Sequence, residues 1–224
     1  MGVAERKERE KEQRRNAIID AAEKVFFSKG VENATMDEVA VAAELSKGTL
    51  YLYFKNKGEL LHGIIGRGLD ILFKMFKKAA KKEKNGIDKI KAIGNAYFQF
   101  YKKYPNYFST MIHQETDKVD PEVIETSPNY SQCHQIGNDI FGLMQEAAKI
   151  GIADGTIRQD LDPVKLSLVL WGHSAGILHI FNAKEPVIES YFGASLEEVV
   201  EYSHRLMFEY LAPHNREEKP AAAK

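Results

Sequence analysis

Apolar residues along the chain recur three and four positions apart, and no convincing period-2 alternation between turn residues is found. The pattern predicts an all-α protein. Ile18, Ala22, Val25 and Phe26 form one stripe of a first helix over about Arg9–Ser28, which Gly30 is expected to stop. Thr35 and Glu38 have the T-x-x-E spacing of a capping box, followed by Met36, Val39, Ala40 and Ala43 as a short apolar face. Ser46 is the expected N-cap of a third helix, running to Tyr53 or Phe54. A long helix over about Lys57–Lys82 turns Leu60, Leu61, Ile64, Ile65, Leu69, Leu72 and Phe76 inward and its lysines outward, and Asn85-Gly86 ends it.

Beyond that turn, Ile87–Tyr104 reads as a helix closed by Pro105, and Asn106–Gln114 as a short one. Asp120–Pro128 carries two prolines and is expected to be loop. Asn129–Ile150 is helical and ended by Gly151, and Gly155-Thr156 is a turn. Asp162 and Pro163 look like the N-cap and first residue of a helix to about Asn182. Ser195 caps a last helix to Leu211, and the alanine-rich tail is expected to be disordered.

Composition narrows the class. The 224 residues are 44% hydrophobic, enough for a packed core, and 28% charged, which is ordinary for a soluble chain. The net charge of −1 conceals a gradient. Residues 1–57 hold 11 Lys/Arg against 10 Asp/Glu, residues 67–91 hold 9 against 3, and residues 92–224 hold 11 against 18. Phosphate would be repelled by the acidic second half, so a nucleic-acid site belongs in the first. The lysine run from Lys74 to Lys91 is more often a solvated helix face than a binding patch. Cys133 is the single cysteine, which excludes an intrachain disulfide and fits a reducing compartment. A charged N-terminus with no apolar stretch behind it, and no run near ~18 uninterrupted apolar residues, predict a cytoplasmic protein with no membrane partner.

Catalytic chemistry finds no constellation. Cys133-His134 lacks a third partner at a recognisable spacing. His173 and His179 are not on one helical face, and His113, His134 and His204 are scattered. No metal, cofactor or enzymatic activity is expected.

The informative stretch is Thr35–Lys57, TMDEVAVAAELSKGTLYLYFKNK. Two short helices joined by the Glu44-Leu45 turn have helix-turn-helix spacing, in which the second helix enters a major groove. Leu50 and Phe54, four apart, can anchor that helix and leave Lys47, Thr49, Tyr51 and Tyr53 on or near its surface. Ser46–Lys57 has three lysines and no acid. Lysine and hydroxyl groups suit phosphates, Thr49 suits a base edge or thymine methyl, and Gly48 permits close approach.

At these residues the chain resembles the TetR family of ligand-controlled repressors. The resemblance rests on S-K-G-T-L-Y-x-Y-F (Ser46–Phe54) with Lys57 and Leu60, on A-A-E-K-V-F-F-S-K-G (Ala21–Gly30) and on Thr35–Ala40. It covers about Arg15–Leu61. One departure is Glu44-Leu45, where the family usually has Gly-Val; it sets a carboxylate near the DNA surface.

The resemblance implies a DNA-binding domain over residues 1–57, a ligand-binding and dimerisation domain over residues 58–214, and a tail over residues 215–224. It implies operator contacts from Thr35, Ser46, Lys47, Gly48, Thr49, Tyr51, Tyr53 and Lys57, on palindromic double-stranded DNA. It implies a small-molecule effector within the bundle, for which Phe73, Tyr97, Phe98, Tyr101, Met111, His113, Phe141, Met144, Trp171 and His173 are candidate lining residues. Aromatic spacing does not separate a cavity from a filled core. It further implies a homodimer through the last two helices, where Gly172, Ala175, Gly176, Leu196, Val199, Val200, Ser203, Leu206, Met207 and Tyr210 are candidate contacts. An ordinary monomer core would produce the same stripes. The expected function is a ligand-responsive repressor; the alternative is a helical small-molecule-binding protein without DNA function.

Overall fold

The structure is a computed structural model that describes residues 2–115 and 127–213. Most of the expected loop at Asp120–Pro128, and the tail over residues 215–224, lie outside the described residues. Among the described residues all regular structure is helical, in the order α1 (Val3–Asn33), α2 (Met36–Ala42), α3 (Lys47–Tyr53), α4 (Lys57–Lys82), α5 (Gly86–Lys103), α6 (Pro105–Glu115), α7 (Pro128–Ala153), α8 (Pro163–Phe192) and α9 (Leu196–Leu211). The chain forms two compact units, one of Met1–Ile71 with Tyr104–Gly137, the other of Leu72–Lys103 with Asn138–Lys224.

The first unit is built on α1, whose buried residues include Ile18, Ile19, Ala22, Val25 and Phe26. Val39 of α2, Leu50 of α3 with Phe54 at its C-cap, and Leu60 and Ile64 of α4 complete this core. The helix begins at Val3 rather than Arg9, because Glu5 accepts from the Gly2 backbone N–H at 2.9 Å and Arg6 pairs with Glu10 one turn on, at 2.8 Å. Gly30 does break it, at φ 79° and ψ 160°, before a last turn to Asn33. Arg67 joins α4 to α1, donating to Asp20 at 2.5 Å, Glu23 at 3.1 Å and the Asn16 carbonyl at 2.9 Å. Tyr107 of α6 donates to the same Glu23 at 2.7 Å. Burial, and then Glu23, push the Tyr107 phenol well above its usual range, so it stays a donor.

In the second unit α5, α8 and α9 pack on one another around Ile90, Ile93, Phe100, Leu166, Leu178, Phe181 and Leu211. Gly151 does not end its helix; α7 continues to Ala153 and the turn falls at Gly155, φ 76°. Its role is contact. A Cβ on Gly86, at the start of α5, would lie 1.9 Å from the Gly151 backbone nitrogen. Asp154 and Thr156 accept from the Gly86 and Ile87 N–H groups at 2.8 and 3.2 Å, satisfying the first turn of α5.

Asp162 caps α8 as expected, accepting from the Lys165 N–H at 2.8 Å. The helix does not stop near Asn182. It passes through Pro186 to Phe192 and ends on Gly193 in the left-handed conformation, φ 62°, whose N–H reaches the Glu189 carbonyl at 3.0 Å. Proline removes one intrahelical bond where the helix is exposed and water can replace it. By length and composition α8 would be able to cross a membrane: an 18-residue window has mean hydropathy 1.3, with 22% of it buried. Lys165, His173, Ser174 and His179 interrupt its apolar sequence.

Candidate nucleic-acid interface

Two caps set the helix-turn-helix. Thr35 accepts from the Glu38 N–H at 3.3 Å, and Glu38 accepts from the Thr35 N–H at 3.1 Å. Lys29, and then Thr35, hold the Glu38 carboxyl below the ordinary carboxylate range. Ser46 accepts from the Thr49 N–H at 3.1 Å, starting α3. The turn between the helices is a Schellman motif: the Leu45 N–H reaches the Ala40 carbonyl at 2.9 Å and the Glu44 N–H reaches Val41 at 3.1 Å. That motif needs a left-handed residue, and Glu44 takes it at φ 55°. A non-glycine side chain is strained there.

Leu50 and Phe54 are fully buried, so α3 is anchored on the expected pair. Lys47, Gly48 and Tyr51 are exposed and Thr49 and Tyr53 half-buried along its outer side. Lys47 pairs with Asp37 of α2 at 2.7 Å, which raises its pKa. Lys57 donates to the Glu32 carbonyl at 2.9 Å, so it is held at the start of α4. Thr35 and Ser46 are exposed, with their hydroxyls engaged in capping. The surface also presents Leu52, 85% exposed, and Val41, 78% exposed, which sequence reasoning had not selected. Their signal was present. Leu52 is out of phase with the Leu50–Phe54 anchor, and Val41 with the buried Met36, Val39 and Ala40 of α2.

The ten candidate pocket residues divide between the two compact units. Met111 and His113 belong to the first unit: Met111 is buried there, and His113 lies on a groove of about 320 Å³ between the end of α1 and α6. Its Nε2 is 3.1 Å from Glu32. The other eight lie in the second unit. Tyr97 and Phe98 border a space of only about 20 Å³, with His204, Ser174 and Leu178. Phe76, not Phe73, meets the Tyr97 ring edge-on, at 6.1 Å. Phe73 lies under Lys77, Trp171 meets Phe141 edge-on at 5.3 Å, and His173 is within 2.5 Å of Ser203. Tyr101 and Met144 are half-buried.

On α8 and α9 the stripes divide. Leu196 is 3% exposed and Ser203 6%, the latter bonded to His173, so both are core residues of their own chain rather than interface candidates. Leu206 and Tyr210 are exposed, joined by Tyr202, while Val199, Val200 and Met207 are half-buried. On α8 the exposed Val164, Leu168, Gly172, Ile180, Val187 and Tyr191, with half-buried Gly176, follow a line that winds round the helix, and half-buried Ala175 lies beside it. A Cβ on Gly172 or Gly176 would meet nothing within 4 Å.

Residues 18–64 match the family model for bacterial regulatory proteins of the tetR family. The N-terminal region is thus similar to the tetR family over those residues. An HTH-type transcriptional regulator of Staphylococcus aureus (strain USA300) is 41% identical over 64 residues, which is 29% of this chain and 35% of the relative. The chain thus matches about a third of the length of that curated relative. Among solved structures, the transcriptional regulator FadR of Bacillus subtilis, in complex with stearoyl-CoA, superposes with TM-score 0.69 at 18% identity, over 87% of this chain and 98% of that one. AibR, in complex with isovaleryl coenzyme A and operator DNA, does so with TM-score 0.65 at 18% identity, over 87% and 98%. These superpositions establish the fold alone: an N-terminal helix-turn-helix region followed by a helical domain.

Proposed function

We propose that the chain is a homodimeric transcriptional regulator, a repressor that holds operator DNA through α2 and α3 and is released by a small hydrophobic molecule. The observation that carries the reading is the outer side of α3. A helix held by buried Leu50 and Phe54 presents Lys47, Gly48, Thr49, Tyr51 and Leu52 outward, in a region that matches the tetR family. Lys47 and Lys57 supply charge for phosphates, and Tyr51, Thr49 and Leu52 supply contacts to base edges and thymine methyls. Two subunits related by a two-fold axis would set two such helices about 34–36 Å apart, matching a palindrome.

The exposed line on α8, with Tyr202, Leu206 and Tyr210 of α9, supports the dimer. Apolar faces of this size are rare on monomers. Gly172 and Gly176 would let the partner helix approach closely. The effector would lodge among Phe73, Tyr97, Phe98, Tyr101, Phe141, Met144, Trp171 and His173. The roughly 20 Å³ beside Tyr97 must then widen, so the ligand would select a more open state and move the equilibrium only by its preference for it. Acyl thioesters are the first class to screen, since FadR and AibR were each solved with one.

Selection of bound sequences from random duplex DNA, with folded and ligand-free protein, tests the reading. A palindromic motif released on adding an acyl-CoA is the expected result. Recovery of no motif overturns it.

A further inference from the structure

Helix α1 begins fifteen residues before the segment that matches the family model. Every residue from Val3 to Arg14 is exposed, so about 18 Å of helix stands without packing from the described chain. A segment of that length is marginal as an isolated helix in water. Its charges are sorted. Lys7, Lys11 and Arg14 fall at i, i+4 and i+7, on the face that continues into buried Ile18. Glu5, Glu8 and Glu12, at i, i+3 and i+7, fall together about a third of a turn round the helix, and Arg9 lies opposite the cationic row.

The cationic face opens onto a groove of about 730 Å³. Lys7, Lys11, Arg14 and Ile18 form one wall, and the Ala43–Leu45 turn with Tyr53 of α3 forms the other. Two acids reach the groove, Glu10 and Glu44, and Glu10 is already paired with Arg6 at 2.8 Å. Arg15 is likewise engaged, over the Phe54 ring at 5.4 Å and with Asn129. Lys7, Lys11 and Arg14 have no ion pair or hydrogen bond among the described residues. Within Val3–Arg14, the cations without a partner among the described residues are thus the ones that face the groove.

The geometry points to a second DNA-contact element: the exposed N-terminal turns of α1 clasp the sugar–phosphate backbone through Lys7, Lys11 and Arg14, beside the groove read by α3. This rests on the DNA-binding reading above and extends the site along the duplex. Duplex phosphate is the occupant because Tyr53 lies on both surfaces, and because a cationic row on one helix face suits a row of like charges. Glu44 is the residue in the groove that opposes it.

The test uses the full-length protein and the duplex recovered by selection. Wild type is compared with Lys7→Gln/Lys11→Gln/Arg14→Gln by the dependence of log K on log[salt]. Three phosphates per subunit, each worth about 0.9 in slope, lower the slope of a dimer by up to about 5. Lys77→Gln/Lys78→Gln/Lys81→Gln removes the same charge from the other compact unit and is expected to change the slope by less than about 1. Hydroxyl-radical footprints of the first variant lose protection at nucleotides flanking the α3 contacts and keep it at the contacts themselves. A wild type that binds its selected duplex with the same slope and footprint as the α1 variant overturns this inference alone. A wild type that selects no duplex overturns the DNA-binding reading and this one with it.

Discussion

The outer side of α2 and α3 and the outer side of α8 and α9 are both exposed, yet they are made differently. On α3 a lysine, hydroxyls and tyrosines surround one apolar residue, Leu52, and the helix ends are closed by Thr35 and Ser46. On α8, Val164, Leu168, Ile180, Val187 and Tyr191 lie in a line around two glycines. The first suits a polar, charged partner that comes and goes with salt. The second suits an apolar partner that stays, because water gains by its coverage whatever the ionic strength. Two pairs of glycines draw the same distinction. Gly86 and Gly151 touch within the chain, whereas Gly172 and Gly176 face open space.

That contrast breaks first at Gly86. A methyl group 1.9 Å from backbone has no flexible neighbour to displace. Gly86→Ala is expected to cost at least about 3 kcal/mol of stability, read as a fall in the chemical-denaturation midpoint. Gly172→Ala leaves the chain's own packing untouched, and in the proposed dimer its effect is expected on dissociation. Equal losses of stability from the two substitutions would end the distinction.

Next in size is the apolar line. Leu168→Asp with Ile180→Asp buries unpaired carboxylates twice over in a two-fold interface, at about 3–5 kcal/mol for each uncompensated charge. Sedimentation equilibrium should show monomer at concentrations where the wild type is dimer, with the helical signal retained. A dimer that survives both substitutions places the interface elsewhere.

The polar surface responds through affinity. Tyr51 is 42% exposed beside buried Leu50. Tyr51→Ala is expected to weaken operator binding by about 1–3 kcal/mol and leave dimerisation unchanged. A gel-shift titration with the affinity of the wild type would take Tyr51 out of the contact surface.

Local chemistry was legible in the sequence, and tertiary chemistry was not. The caps at Thr35, Ser46, Asp162 and Ser195 each depend on residues within three positions, and all four form as spaced. The Leu50–Phe54 anchor is equally local. Gly151 read as a stop because glycine commonly ends helices, but its neighbour Gly86 lies 65 positions away in the chain. The expected end of α8 near Asn182 falls short, and Gly193 supplies the stop eleven residues later. The α9 stripe was recognised, but its phase was not. When both sides of a helix carry apolar residues, periodicity cannot say that Leu196 faces the core and Leu206 the outside. Met111 and His113 were grouped with Tyr97 by residue type, and only packing assigns them to the unit of α1 and α6.

The smallest effect tests Glu44, where the turn departs from the family pattern it resembles. Glu44 occupies a left-handed position that the Schellman turn requires. An L side chain there costs about 1–2 kcal/mol, and glycine returns about 0.4–1 of that as unfolded-chain entropy. Glu44→Gly should therefore stabilise the protein by about 0.5–1 kcal/mol, read as a small rise in Tm. It also removes a carboxylate from the groove lined by Lys7, Lys11 and Arg14. Affinity for the selected duplex should rise together with stability. If only stability rises, the groove does not hold phosphate, and the glutamate is a matter of folding alone. If affinity rises and the gain shrinks as salt is added, the carboxylate is a brake on DNA binding, set where the backbone would accept glycine more readily.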